Sequence, residues 1–285
     1  MRKVARAALV LVLLPTAAAA QEPDWTDLRF RRQADGVRSI DVQVAYAAGE
    51  LEVGPADPGL LYDVDLRYDA LRLRPERSWE AKGDAGRLAL RLGPADGQDG
   101  NWKLDGAQPG RLRLGLGPDA AAALSIEVGA AEAQVRLGGI PLTSFTYRTG
   151  ASSTVISFDA PNPERMSRLE LAAGAAEFEA TGLGNARFQH LEFEGAVGDV
   201  TLDFRGAWSS DAEADISVGL GALRLVLPRG VGVEIEKKGF LTGFDPGDMR
   251  KADGVWRTPD WGDARHHLRI RLRAAFGRIE VAFAD

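Results

Sequence analysis

The sequence predicts an all-β protein: a β-solenoid of stacked strands in parallel sheets, with an N-terminal antiparallel β subdomain. Apolar and polar residues alternate over most of the chain, as they do on strands with one buried face. Glycine is frequent, with 33 in 285 residues. One motif, in which an alternating segment meets a glycine and then alternates again, recurs seven times, at Gly49, Gly129, Gly150, Gly174, Gly198, Gly221 and Gly277. Such repetition is typical of stacked architectures.

The first twenty residues have the features of a secretory signal peptide. Arg2, Lys3 and Arg6 precede an apolar run over residues 7–14, and the small residues that end in Ala20 form a cleavage site. The apolar run is shorter than the roughly 20 residues that cross a bilayer. We therefore expect cleavage after Ala20, no membrane span after cleavage, and a periplasmic or secreted product.

The charge and the cysteine count exclude several classes of protein. The chain has 41 acidic and 35 basic residues, a net charge of −6, and removal of residues 1–20 would leave 32 bases against the same 41 acids. This balance argues against a nucleic-acid partner, which requires a basic surface. The chain has no cysteine, so it can form neither disulfides nor thiolate metal sites. In an oxidising compartment its stability must come from packing alone.

Residues 21–120 are predicted to form the N-terminal β subdomain. The segments DVDLRYDALRLR, RLALRL and RLRLGL alternate apolar residues with Arg or Asp, which is typical of strands with one solvated face. Segments rich in Pro, Gly and Asp separate them as turns. We expect an antiparallel unit that covers the first coil of the solenoid, since an open end would expose both the core and the strand edges.

Residues 121–285 are predicted to form the repeat domain. Successive glycines from Gly129 to Gly221 are 21, 24, 24 and 23 residues apart. Within each copy the alternation changes phase by one residue: around Gly198 the apolar positions are Leu191 and Phe193 before the glycine, but Val200 and Leu202 after it. Because strand side chains change face with period two, this slip requires a bend or a bulge in the backbone.

Two geometries accommodate the slip. A two-residue X-Gly hairpin would give a β-sandwich, whereas a solenoid corner would bend each strand at a glycine with positive φ. The corner is the preferred interpretation, because Val197, Leu220 and Phe276 precede repeat glycines and a hairpin tip would expose them. A corner is expected to bury them.

One segment departs from the repeat. Between Gly221 and Gly277 there are 33 residues more than one period, and much of the excess lies in an aromatic insertion at residues 237–265. Two interpretations stay open, a cap over the last coil or a surface for a partner protein or glycan, because insertions in repeat proteins map to loops and aromatic residues often anchor interfaces. The candidate partner-binding residues are Phe240, Phe244, Trp256 and Trp261.

No catalytic, cofactor-binding or metal-binding residues are predicted. The three histidines, His190, His266 and His267, match no zinc or hydrolase motif. The series beginning at Asp96 resembles a calcium loop but has Gln98 and Gly100 where acidic or amide ligands are required. A cluster of acids in the insertion, Asp245, Asp248, Asp253, Asp260 and Asp263, likewise fits no metal spacing.

The segments LSIEVGAAEAQVRLGG, TYRTGASSTVISF, EGAVGDVTLDFRG and VGLGALRLVLPRGVGV resemble the toast-rack domain of bacterial envelope proteins. That group includes LiaF-like proteins and β-solenoid adhesins, and the resemblance covers roughly residues 40–285. It implies an all-β rack of repeated strands without enzymatic activity, and some relatives act in envelope stress signalling. The LiaF-type relatives carry membrane helices, whereas this chain shows only a cleavable signal.

The first functional hypothesis is a non-enzymatic, soluble envelope or secreted protein that acts as a binding, adhesion or structural module. Its expected partner is an envelope protein or a glycan. The alternative is a parallel β-helix enzyme acting on polysaccharide, which would need polar side chains that converge on one outer face. Outward acids such as Glu170, Glu192, Glu194 and Asp203 recur, but a solvated face explains them equally well.

Overall fold

The computed structural model describes residues 22–95, 110–239 and 241–284, so the signal segment, the Asp96 series and Phe240 lie outside the described residues. The described part is almost entirely β-structure, with two short 3₁₀ turns at Leu183–Ala186 and Pro259–Gly262. In chain order the strands are β1 (Trp25–Gln33), β2 (Ser39–Pro55), β3 (Leu60–Asp69), β4 (Leu73–Lys82), β5 (Ala85–Pro94), β6 (Arg111–Leu116), β7 (Ala121–Arg136), β8 (Leu142–Ser157), β9 (Met166–Thr181), β10 (Phe188–Asp203), β11 (Ala212–Pro228), β12 (Gly232–Gly239), β13 (Thr242–Asp245), β14 (Arg250–Ala252), β15 (Val255–Arg257) and β16 (His267–Ala284).

Seven long strands form the body of the protein. The strands β2, β7, β8, β9, β10, β11 and β16 lie side by side in this order and pair in parallel. Each runs through its repeat glycine without turning back, so no X-Gly hairpin forms. The predicted all-β stack of parallel strands is confirmed.

The sheet is folded along the line where the phase of alternation changes, which we call the corner. Each long strand has a first leg before the corner and a second leg after it, and the buried side chains of both legs meet in one core. In β8 the hydroxyls of Tyr147 and Thr154 are 3.1 Å apart across the corner. The rings of Phe178, on a second leg, and Phe193, on a first leg, have centroids 5.3 Å apart.

The repeat glycines occupy two different registers at the corner. Gly198, Gly221 and Gly277 pair with one another across the sheet and have φ between 127° and 138°, as does Gly49 at 131°. At these four positions the predicted positive φ is confirmed.

The prediction is wrong for Gly129, Gly150 and Gly174, whose φ is not positive. These glycines lie two residues earlier, because Ala176 of β9 pairs with Gly198. A Cβ on Gly174 would stand 2.6 Å from the carbonyl oxygen of Gly150 on the neighbouring strand. Close approach between backbones, rather than positive φ, therefore requires glycine in this second register.

At each end of the body, one short strand pairs with the first leg of the outermost long strand and another pairs with its second leg. At the N-terminal end β5 pairs in parallel with the first leg of β2, and β6 pairs with its second leg. The strands β4, β3 and β1 then add in antiparallel fashion, as the sequence predicts for this region. At the C-terminal end β12 and β13 extend the two legs of β16 in the same way. The sheet is continuous across residues 120 and 121, because β2 pairs with β7 along its length.

The described residues contain no helix whose length and hydropathy would suit a membrane crossing.

Candidate binding surface

The corner exposes large apolar side chains. Val197, Leu220 and Phe276 are 52%, 54% and 49% exposed. They are direct neighbours, because Val197 pairs with Leu220 and Leu220 pairs with Phe276. The expectation that the corner would bury them is wrong. These residues occupy the outer edge of the folded sheet, whereas the core lies on the inner side between the legs.

The exposed row extends in both directions. Gly239 pairs with Ala274 and Thr242 pairs with Gly277, so Leu241 lies beside Phe276. Leu241 is 70% exposed and has a φ of 54°, which is unfavourable for a residue with a Cβ. The exposed apolar residues at this register form one row across the strands, which we call the corner row; it consists of Ala130, Ala151, Ala175, Val197, Leu220, Phe276 and Leu241.

A shallow depression runs along the first legs beside the corner row. One part, of about 830 Å³, has a floor of Gly174, Ala196, Gly219 and Ala275 and a wall that includes Glu194, Ser217, Lys238 and Arg273. A second part, of about 540 Å³, has the same register positions in its lining, with Ala47, Gly129 and Gly150 on the floor and Arg91, Glu127 and Arg148 on the wall. We call the two parts together the outer groove.

Several charges of the outer face form cross-strand ion pairs. Arg148 lies 2.8 Å from Glu170, and Arg168 lies 2.8 Å from Glu192. Such pairs between neighbouring strands add modestly to the stability of a sheet.

The pair between Arg271 and Asp215 belongs to the same set. Arg271 Nε donates to Asp215 Oδ1 at 2.6 Å. This hydrogen bond lowers the pKa of the Asp215 carboxyl below its usual value, and the charges of Arg271 and of the neighbouring His190 act in the same direction. The carboxylate is therefore held ionised on the outer face.

The charges beside Val197 and Phe276 are different. Glu194 and Arg273 flank the row on the first-leg side, and Asp199 and Arg278 flank it on the second-leg side. Among the described residues none of these four side chains forms a hydrogen bond or an ion pair, although the charge of Arg273 also acts on Asp215 and Glu236. The corner therefore combines exposed apolar side chains with charges that are free to pair with another molecule.

The structure separates the predicted partner-binding aromatic residues. Trp256 pairs with the buried Ile235, and Phe244 pairs with the buried Ile279, so both rings face the core side. Their centroids are 5.4 Å apart. The two rings thus close the gap between the first and the second leg at the C-terminal end, while Phe240 lies outside the described residues.

Trp261 lies on the opposite, outer face. Its ring stands 5.5 Å from the guanidinium of Arg257 and 5.7 Å from that of Arg269. Its carbonyl oxygen is 3.0 Å from His267 Nε2. Arg269 projects outward from β16, as Arg273 does in the outer groove, so Trp261 and the groove share one face.

Aromatic side chains also close the N-terminal end of the core, and the sequence did not predict this cluster. Tyr62 contacts both Phe30 and Trp79, at centroid distances of 6.1 and 5.6 Å. The guanidinium of Arg32 lies 4.3 Å from the Trp79 ring, and that of Arg77 lies 4.4 Å from the Phe30 ring. The sequence offered one signal for this closure: an aromatic residue stands in an Arg-rich strand in place of a smaller apolar residue.

In residues 22–95, 110–239 and 241–284, no three His, Asp or Glu side chains are placed to hold a metal ion. His190 faces Asp215 at 3.3 Å on the exposed side of the first legs.

A family model and one solved structure agree with this architecture. A family model described as the N-terminal domain of toast_rack, DUF2154, matches residues 21–179, more than half of the chain. A solved structure of a candidate cell adhesion protein from Clostridium sporogenes superposes with a TM-score of 0.51 at 14% identity, covering 92% of this chain and 100% of that one. A candidate adhesin from Bacteroides fragilis gives a TM-score of 0.36 at 11% identity, covering 90% and 97%. No curated protein matches the sequence.

Proposed function

Because the chain belongs to the toast-rack family, we propose that it is a non-enzymatic binding and adhesion module of the bacterial cell envelope. Its N-terminal segment directs export to the periplasm or the exterior. Its outer groove binds an extended envelope glycan. The candidate adhesion function of the Clostridium sporogenes protein, which shares the fold, supports this assignment.

The outer groove is the observation that carries the proposal. Its lining repeats from strand to strand, because the long strands pair in register and place equivalent residues about 4.8 Å apart. Gly219 and Ala196 on the floor leave room for a chain to lie against the backbone. A shallow site that repeats along one direction suits a polymer, whereas small ligands are held in enclosed and largely apolar pockets.

The walls of the groove match the chemistry of a glycan. They carry both signs of charge: the side chains of Arg273, Glu127 and Glu194 form no ion pair among the described residues, whereas Arg148 and Lys238 pair with Glu170 and Glu236. Such walls can donate hydrogen bonds to, and accept them from, sugar hydroxyls and charged substituents. Trp261 on the same face adds an aromatic ring next to Arg257 and Arg269, and aromatic rings are common contact residues at recognition surfaces.

A groove-filling variant tests the proposal. Glutamine at Ala196 and Ala275 together would occupy the floor without changing the charge, and both positions are exposed, so the fold should tolerate the change. The matched control is Ala222→Gln on the outer face of a second leg, also exposed. Binding is measured on immobilised neutral and acidic envelope glycans. We expect the wild type and the control to bind and the double variant to lose at least tenfold in affinity.

Three results would overturn parts of the proposal. Equal binding by the double variant and the control would remove the groove as the site. Capture of an envelope protein in the absence of glycan would show that the partner is a protein and not a glycan. New reducing ends or unsaturated products after incubation with polysaccharide would replace the binding module by the enzyme that the sequence left as the alternative.

A further inference from the structure

We propose that the corner row is a self-association surface, on which a second copy of this chain docks. The two copies are related by a twofold axis that follows the direction of β11 at the corner. The strands involved are β9, β10, β11, β16 and the segment that contains Leu241. The proposal does not depend on a glycan in the outer groove, although Glu194 and Arg273 belong both to the groove wall and to the flanks of the corner row.

The exposed side chains are the first argument. Among the described residues, four of the six large apolar side chains with high exposure belong to the corner row. Leu241 is the most exposed of them and is held in a left-handed backbone conformation. Apolar side chains that are contiguous and unneeded by the core indicate an interaction site.

The sizes of the side chains are complementary under this axis. A twofold axis through Leu220 places this residue against Leu220 of the second copy. Phe276 then faces Val197 of the second copy, and Leu241 faces Ala175. A large side chain meets a smaller one on each side of the axis, so the two edges can approach evenly along the row.

The unpaired charges are the second and independent argument. On the first-leg side of the row the order from β10 to β16 is Glu194, Ser217, Arg273. On the second-leg side the order is Asp199, Ala222, Arg278. On both sides of the row the order is therefore acidic residue, neutral residue, basic residue, and the neutral residue lies on the axis.

This order selects one orientation of the dimer. With the axis parallel to β11, Glu194 faces Arg273 of the second copy and Asp199 faces Arg278, which makes four ion pairs in the dimer. A twofold axis along the corner row would instead bring Glu194 against Asp199 of the second copy, and Arg273 against Arg278. Like charges placed opposite each other disfavour the second arrangement.

The contact spans few strands, so the dimer is weak. Four strand spacings of about 4.8 Å give a contact line of roughly 20 Å, and interfaces that bury less than about 1,200 Å² in total are typical of transient complexes. We expect association in the micromolar to millimolar range of protein concentration. Because the flanking ion pairs remain near solvent, raising the salt concentration should weaken it.

A charge exchange between two variants tests the interface. Asp199→Arg alone brings like positive charges together in the homodimer, and Arg278→Glu alone brings like negative charges together. In a mixture of the two, each introduced charge meets an opposite charge on the other copy. Sedimentation velocity over a range of protein concentrations measures association. We expect each single variant to associate at least tenfold more weakly than the wild type and an equimolar mixture to recover association.

The apolar part is tested in parallel. Leu220→Ser should abolish association, whereas Val155→Ser, a change at a 43% exposed residue on the outer face of a second leg, should leave it unchanged. A wild type that stays monomeric up to about 1 mM would overturn the proposal. So would single charge variants that associate as the wild type does, or a mixture that fails to recover association. No glycan is present in these measurements, so their outcome is independent of the proposed function.

Discussion

The hydroxyl of Tyr147 lies 3.1 Å from that of Thr154, across the corner of β8. Tyr147 belongs to the buried alternation of the first leg, which continues to Thr149, and Thr154 begins that of the second leg, where the other repeats have an apolar residue. Thr154 is also 3.0 Å from the Ser152 hydroxyl. The Thr154 hydroxyl thus provides a partner for the buried hydroxyl of Tyr147.

The first prediction concerns this hydrogen bond. Thr154→Val keeps the volume but removes the hydroxyl that bonds to the buried Tyr147. We expect the free energy of unfolding, measured by urea denaturation, to fall by about 1–2 kcal/mol. Tyr147→Phe combined with Thr154→Val should cost less than the sum of the single changes. Additive effects would show that the two hydroxyls do not interact.

The second prediction concerns the corner glycines with positive φ. In Gly198→Val the new Cβ meets the carbonyl oxygen of Ala176, and φ is 138°. Positive φ alone costs a residue with a Cβ roughly 1–2 kcal/mol, so we expect a loss of at least about 2 kcal/mol in thermal or chemical denaturation. The control is Ala176→Gly at the same register position of β9, which should cost about 1 kcal/mol or less. Equal melting of Gly198→Val and the wild type would contradict the corner geometry.

The third prediction concerns the pH dependence of stability. The bond from Arg271 lowers the pKa of Asp215 in the folded protein. The stability that this carboxylate contributes is therefore present above its unfolded pKa, about 3.9, and is lost as the pH falls through the lower folded value. In Arg271→Gln the pKa of Asp215, followed by NMR titration, should rise. At pH 7 the variant should lose about 0.5–1 kcal/mol, and the loss should vanish at strongly acidic pH. An unchanged titration of Asp215 would argue against the ion pair in solution.

The fourth prediction separates two tryptophans of the insertion. Trp256 packs on Phe244 at the core side, so Trp256→Ala should lower the free energy of unfolding by about 2–3 kcal/mol. Trp261 lies outside, so Trp261→Ala should cost less than about 1 kcal/mol and instead weaken glycan binding. Denaturation and glycan retention are measured on both variants. Loss of binding in Trp256→Ala without loss of stability would reverse the two assignments.

Much of the fold could be predicted because its main signal is local. The slip from Phe193 to Val200 is a property of one strand, and no arrangement can keep both residues buried without a bend between them. Parallel stacking followed from the regular spacing of the copies. The N-terminal closure was missed because Phe30, Tyr62 and Trp79 come from three strands whose pairing the local pattern does not specify.

By itself, the sequence determined the strands, the bend in each long strand and the absence of disulfides, since alternation, phase and residue type act within a few residues of each position. Only the tertiary structure decided which face each corner residue occupies. Val197, Leu220 and Phe276 precede glycines just as Val128 and Ala173 do, yet the first three are exposed and the last two are buried. The difference lies in the cross-strand register, because the two groups of glycines sit two residues apart relative to the corner. Exposure at a bend depends on where the neighbouring strands place the core, and that placement is set by the assembled sheet.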